Sequence, residues 1–215
     1  MRQRNKPWAD QFIADHSEWL IPNPADYKGN WGREVFGNDK PIHIEVGSGK
    51  GRFITEMARQ NPDVNYIGIE VVKKVIVSAL EKCVASDLAN LRLIQVNALQ
   101  LPDYFADGEV DLVYLNFSDP WPKVRHEKRR LTSVRFLKNY QAILPRRGEL
   151  HFKTDNRRLF EYSLKSFNGY GLELIDVCLD LHDSEEEYPD NVRTEYEDKF
   201  SAKGFPIYRV EVGFD

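Results

Sequence analysis

Two cysteines in 215 residues, Cys83 and Cys178, are too few and too far apart for a disulfide framework or a zinc site. The five histidines are scattered, none paired at metal-ligand spacing, so no metal is expected. No apolar run approaches the ~20 residues of a membrane span. The opening MRQRNKPWADQF lacks the apolar centre of a secretory signal, so the expectation is a cytoplasmic protein with no membrane partner. Internal repeats and low-complexity linkers are missing. No heptad stands out, and the oligomeric state is not legible. Net positive charge is missing too: 30 basic against 34 acidic residues gives −4, so any nucleic-acid binding must rest on local asymmetry.

That asymmetry is present. Arg2, Arg4 and Lys6 cluster at the start, and Arg157-Arg158 form a later pair, while acids gather from Asp183 to Glu187. Between Lys123 and Arg130, five of eight residues are basic. With 41% hydrophobic residues the chain suits one domain, 1–215, with a substantial core.

Residues 1–40, rich in Trp, Pro, Asn and charge, read as an irregular basic and aromatic arm with one short helix around Asp10–Trp19. From 41 to 215 strand and helix patterns alternate. Strands are expected at Ile42–Val46, Val64–Glu70, Leu91–Val96, Val110–Phe117, Glu149–Lys153, Leu172–Leu181 and Ile207–Val212. Helices are expected at Gly51–Gln60, Val72–Ala85, Leu131–Ile143 and Arg157–Phe167. Near-continuous apolar strands separated by helices predict an α/β fold: a mainly parallel twisted sheet of about seven strands, covered on both faces.

The strand-to-helix junction Glu45-Val46-Gly47-Ser48-Gly49-Lys50-Gly51 lets the backbone turn tightly and a ligand approach a helix N-terminus. A dinucleotide fingerprint would place its third glycine where Arg52 stands, which counts against a nicotinamide-dependent dehydrogenase. Pyrophosphate gains little from the adjacent Glu45. A ligand bearing an amino group and a sulfonium gains much more, so the motif favours S-adenosylmethionine. Glu70, about twenty residues on at the next strand end, is placed either for two ribose hydroxyls or for a helix N-terminus. Asn97 ends the third strand, where an amide can bridge an adenine edge or only shape a turn.

Asn116-Phe117-Ser118-Asp119-Pro120-Trp121-Pro122-Lys123 ends the fourth strand. Asp119 thus aligns with Glu45, Glu70 and Asn97 at four strand ends. Pro120 and Pro122 restrict the loop. Trp121 reads better as core or scaffold than as a stacking surface, and Lys123 as a contact to phosphate or substrate. Guanine's Watson–Crick edge offers two donors that a carboxylate can accept. Asp155, Glu195 and Glu197, the latter two within Thr194-Glu195-Tyr196-Glu197, are candidate readers of that edge, or else part of an acidic surface loop.

The long Asn116–Lys123 stretch, followed by Arg125-His126 and Lys128-Arg129-Arg130-Leu131, resembles the signature of bacterial tRNA (guanine-N7-)-methyltransferases. The glycine loop, the arm Arg2-x-Arg4-x-Lys6-Pro7-Trp8 and Thr194–Glu197 match that family too, so the resemblance spans nearly the whole chain. It implies a Rossmann-like class I methyltransferase fold, S-adenosylmethionine as methyl donor, and the variable-loop guanine of tRNA (position 46 in tRNA numbering) as acceptor. Carried over by motif position, Glu45, Gly47, Gly49, Gly51, Glu70, Asn97 and Asp119 bind the donor. Lys123, Asp155, Thr194, Glu195, Tyr196 and Glu197 bind the substrate, and Arg125, His126, Lys128, Arg129 and Arg130 contact RNA. Asp119 lies closest to the chemistry. Guanine N7 has a lone pair and no proton in the neutral base, so the expected role of Asp119 is positioning and electrostatics rather than proton abstraction.

Overall fold

The structure, a computed structural model, describes residues 7–183, 186 and 188–214. The basic cluster Arg2, Arg4 and Lys6 and most of the acidic cluster (Ser184, Glu185 and Glu187 within it) lie outside the described residues.

Seven strands form one sheet: β1 (Ile42–Val46), β2 (Asn65–Ile69), β3 (Leu91–Ile94), β4 (Leu112–Asn116), β5 (Glu149–Thr154), β6 (Glu173–Cys178) and β7 (Tyr208–Gly213). Their order is β3-β2-β1-β4-β5-β7-β6. β1 to β5 are parallel, and β7 runs antiparallel between β5 and β6. This is the Rossmann-like class I arrangement, with every strand found within a few residues of its expected place.

Seven α-helices are described: α1 (Ala9–Asp15), α2 (Arg52–Gln60), α3 (Lys73–Ser86), α4 (Leu101–Tyr104), α5 (Val134–Gln141), α6 (Arg157–Tyr170) and α7 (Glu195–Ser201). The strands feed two separate cores by their alternation. In β4, Leu112 and Tyr114 pack with Phe53 and Ile54 of α2 and Ile76 and Leu80 of α3. Val113 and Leu115 face the opposite way, toward Phe136 and Leu137 of α5 and Phe160 of α6. Burial on both faces explains why these strands read as continuous apolar runs.

From residue 7 onward the N-terminal arm is more regular than its composition suggests. Its helix is shorter than expected, and a π-helical turn follows at Trp31–Phe36. Trp31 is fully buried, donates from Nε1 to the Tyr104 carbonyl at 2.8 Å and stacks on Phe105. Leu20 bridges Leu93, so the arm also covers the β3 edge. The short elements that the sequence pattern does not anticipate include α4, α7 and the 3₁₀ turn Val124–Arg129 that carries the basic run.

Candidate active site

The order of strands reverses between β1 and β4, and in open parallel sheets the crevice at such a point receives ligands. A cavity of about 740 Å³ opens there. Its wall includes Glu45, Glu70, Asn97 and Asp119, so the four strand-end polar residues share one site.

The glycine loop forms the floor. Gly47, Gly49 and Gly51 all adopt positive φ, at 80°, 57° and 78°. The amides of Gly47 and Ser48 both donate to the Ile69 carbonyl, which stitches the loop to the end of β2. Gly51 is not on the cavity wall. It lies against α3, where a Cβ would meet the Ala79 Cβ at 2.7 Å. This glycine therefore acts by letting α2 start close to α3. It caps α2 rather than opening it, so the helix begins one residue later than expected.

Glu45 is the most perturbed acid of the wall. Burial pushes its pKa up to about 7, and the nearby Glu70 adds to the rise. An Asn116 hydrogen bond, Lys153 and the Ile54 backbone pull the other way. Asn116 Nδ2 donates to Glu45 Oε1 at 2.9 Å, while Oε2 is buried with no hydrogen-bond partner. A buried acceptor without a donor is costly, and a cationic ligand in the cavity would relieve that cost.

Glu70 serves the protein first. It accepts from the amide of Gly49 at 3.2 Å and from Val72 at the start of α3 at 2.9 Å. Of the two roles weighed for it in sequence, the support of the helix start is present, and the residue also lines the cavity. Asn97 Oδ1 accepts from the Leu99 amide and so caps the following turn, with the residue still on the cavity wall.

The Asn116–Lys123 loop is held in an unusual conformation. Phe117 and Trp121 bracket Asp119 at φ +51° and +40°, values that non-glycine residues seldom adopt. Arg130 holds the loop by donating from Nε to the Pro120 carbonyl at 3.1 Å and from Nη2 to the Trp121 carbonyl at 3.1 Å. Its guanidinium also lies 4.2 Å from the Tyr162 ring centroid. Arg130 is thus a clamp on the Asp119 loop, whereas the sequence placed it among the RNA contacts. Trp121 is no core residue either. It lines the cavity, with the Arg129 guanidinium 4.8 Å from its ring centroid and the His126 ring edge-on at 5.6 Å.

Lys128 and Arg129 reach the cavity wall, whereas Lys123 and Arg125 are exposed outside it. Asp155 follows β5 and is half-buried outside the wall.

Thr194-Glu195-Tyr196-Glu197 is not a loop. It is a capping box: the Glu197 amide donates to Thr194 Oγ1, and Glu197 returns a carboxylate to the Thr194 amide. Thr194, Glu195 and Tyr196 line the cavity. Glu197 points away into a buried polar node. Its Oε2 accepts from Lys153 Nζ at 2.9 Å, and its Oε1 from Asn191 Nδ2 at 2.7 Å. The side chain is 0% exposed and stands off the cavity wall, so reading a base edge is corrected to holding α7 in place. Sequence reasoning missed Lys153 altogether. The available signal was slight: Lys153 stands near the C-terminal end of a strand, Glu149–Thr154, that already carries Glu149, His151 and Thr154. Lys153 also sits beside Asn116 in the β4–β5 register, so a polar chain runs from Glu45 on β1 through β4 and β5 to α7.

Among the described residues, no group of three or more His, Cys, Asp or Glu could hold a metal ion, and no helix is long and apolar enough to cross a membrane.

Residues 39–210 match a family model described as "Putative methyltransferase". A protein of Bacillus licheniformis named tRNA (guanine-N(7)-)-methyltransferase is 63% identical over 211 residues, covering 98% of each chain. A protein of the same name from Bacillus subtilis is 62% identical over 212 residues, covering 99% of this chain and 98% of the other. Among solved structures, an antibiotic-related methyltransferase aligns with TM-score 0.61 at 22% identity, covering 84% of this chain and 90% of that one. A SAM-dependent methyltransferase from Aquifex aeolicus aligns with TM-score 0.58 at 14% identity, covering 99% and 100%. At those identities the two structures speak for the fold alone.

Proposed function

The chain belongs to the tRNA (guanine-N7-)-methyltransferase family, and from that premise we propose that it transfers the methyl group of S-adenosylmethionine to N7 of a guanine in tRNA, with the variable-loop guanine at position 46 as acceptor. The observation that carries this reading is the shared cavity wall of Glu45, Glu70, Asn97 and Asp119 at the ends of β1 to β4, with Lys128 and Arg129 on its rim.

The residues present fit the donor. Glu45 Oε2 is a buried acceptor in want of a cation, the glycine loop leaves room for close approach, and Glu70 and Asn97, which we assign to ribose and adenine, lie on the wall. When bound, the donor supplies an electrophilic methyl group. N7 presents a lone pair and no proton, so the protein need not supply a base. Its work is to align the purine, exclude water and stabilise the positive charge that grows on the ring. Asp119, fixed by the strained loop and the Arg130 clamp, is the carboxylate we assign to that alignment and stabilisation. Gly47 and Gly49 shape the donor side, and Gly51 acts behind it by setting α2 against α3. On the substrate side, Thr194, Glu195 and Tyr196 bound the cavity, with Lys123 and Asp155 outside its wall. Lys123, Arg125, His126, Lys128 and Arg129 form the RNA-facing rim.

A guanine engaged in tRNA tertiary structure must be exposed before it reacts, at a cost of a few kcal/mol. Phosphate contacts along the rim offset part of that cost, and recognition rests on tRNA shape more than on flanking bases. The basic rim weighs against a small-molecule acceptor. The donor-side residues weigh against a non-catalytic RNA-binding role. A tRNA modification enzyme of this kind belongs in the cytoplasm.

The direct test is incubation with S-adenosylmethionine and unmodified tRNA, followed by mapping of the methylated nucleotide. N7-methylguanine at position 46, and no incorporation into a tRNA lacking that guanine, is the expected result. A methyl group on another atom or nucleotide would overturn the reading.

A further inference from the structure

Two aromatic side chains line the cavity, Phe117 and Tyr196; Phe117 also packs, as Phe200 does, against the small buried cluster of Cys178, Leu181 and Ile207. Phe117 follows β4 at φ +51°, and Tyr196 stands on the first turn of α7 with 56% of its surface exposed. Both line the cavity, on elements far apart in sequence. Their planes lie within 17° of each other, with centroids 6.4 Å apart. Phe200, one turn along α7, also lies near-parallel to Tyr196, 6.4 Å away and within 13°. Tyr196 is also firmly placed: its neighbour Glu197 is locked into the buried node, and the capping box fixes the turn that carries it. An exposed tyrosine on an otherwise pinned helix turn, parallel to a phenylalanine held in a strained conformation, is a built surface for a flat ligand.

We propose that Phe117 and Tyr196 form the stacking platform for the acceptor purine, and that the platform prefers the methylated, positively charged purine over the neutral one. The inference rests on the methyl transfer described above. In that step the carbon–sulfur bond breaks as the bond to N7 forms. Sulfur keeps the electron pair and becomes a neutral thioether, the purine takes the positive charge, and no proton moves. The negative face of an aromatic ring attracts that charge. Stacking therefore strengthens as the reaction proceeds, which is the condition for an interaction to accelerate chemistry rather than only bind substrate. Asp119, two residues beyond Phe117, adds a carboxylate to the same charge.

The test compares Tyr196→Leu, Tyr196→Phe and Phe117→Leu. Base stacking on an aromatic side chain is worth about 1–3 kcal/mol, or roughly 5–150-fold. The leucine variants are expected to raise the KM for tRNA by a factor in that range and to lower kcat as well, and Tyr196→Phe, which keeps the ring, to show a smaller change than Tyr196→Leu. The second readout is competition by 7-methylguanosine 5′-monophosphate against guanosine 5′-monophosphate. The parent is expected to bind the methylated nucleotide more tightly, and the leucine variants to lose that preference, which a merely structural role would not touch. Thermal unfolding and donor binding report whether each variant is intact, and Phe117→Leu decides the matter if Tyr196→Leu does not fold. An unchanged tRNA KM, or an unchanged nucleotide preference, in a folded leucine variant overturns the platform. A parent protein that methylates no tRNA would sink the assigned activity instead, and the nucleotide comparison would still judge the stacking.

Discussion

Lys153 Nζ and Glu197 Oε2 lie 2.9 Å apart with side-chain exposures of 7% and 0%, so a buried ion pair fastens α7 to β5. Nζ also donates to Asn191 Oδ1 and to the Val192 carbonyl, each at 2.9 Å. All three ammonium donors are thus spent on residues 191–197. The pair links the sheet to the helix turn that carries Thr194, Glu195 and Tyr196 into the cavity.

Removing one partner strands a buried charge, at a cost on the order of 3–5 kcal/mol, whereas replacing both with apolar residues costs less. Lys153→Met and Glu197→Leu are each expected to lower stability strongly in denaturant unfolding, and the double variant to recover much of the loss. In any folded variant, binding of tRNA should suffer more than binding of the donor. Additive losses in the double variant would show that the two charges act separately.

The sheet was legible because its strands are short apolar runs bounded by turn residues, and β1 was placed to the residue. The candidate site was legible because parallel strands deliver their C-terminal residues to one edge, which brings Glu45, Glu70, Asn97 and Asp119 to one cavity wall on strand order alone. What escaped depended on contacts between distant segments. Nothing local to Arg130 says that its guanidinium reaches back to the Pro120 and Trp121 carbonyls. Nothing local to Glu197 says that Lys153 waits beneath it. The helix start at Thr194 was a different kind of miss: Thr-x-x-Glu is a local signal, and the chemistry of the carboxylates drew attention away from it. The arm looks irregular in sequence because Trp31 is a single buried anchor rather than a periodic pattern.

Glu45 makes a pH-dependent prediction. Burial raises its pKa from 4.5 to about 7, so between those values the folded chain keeps a proton that the unfolded chain has released. Its contribution to stability is fully present below about pH 4.5 and is lost as pH rises toward 7. The stability of Glu45→Gln relative to the parent, without donor, is therefore expected to rise across that window. A cationic donor favours the ionised carboxyl, so donor binding near pH 6 should release a proton, seen in calorimetry as a heat that varies with the buffer's ionisation enthalpy. Glu45→Gln should lose that proton release. A proton release unchanged in the variant would assign it to another group.

Asp119→Ala removes a carboxylate without disturbing a buried partner, because the side chain is exposed at the cavity. With donor and tRNA saturating, turnover is expected to fall by about 10²–10³-fold, the range for loss of one preorganised electrostatic contact. The rate should show no new pH dependence attributable to a missing base, since N7 gives up no proton. Near-normal turnover would remove Asp119 from the chemistry.

The basic run divides by what its guanidinium and ammonium groups already do. Arg125 and Lys128 are exposed, and neither side chain hydrogen-bonds or ion-pairs with another described residue, so phosphate is the partner open to them. Replacing either with Ala should weaken tRNA binding and flatten its salt dependence by about 0.7–0.9 log units per log salt for each phosphate that is no longer neutralised. Arg130 is committed to the Pro120 and Trp121 carbonyls and to Tyr162. Arg130→Ala should leave the salt slope nearly intact and instead lower turnover, by about a hundredfold if the Asp119 loop shifts by an ångström. Measuring kcat and the salt dependence of tRNA affinity on both sets of variants separates the two roles. A salt slope that drops for Arg130→Ala as it does for Lys128→Ala would return Arg130 to the RNA interface and leave the strained φ of Trp121 to be held by the prolines alone.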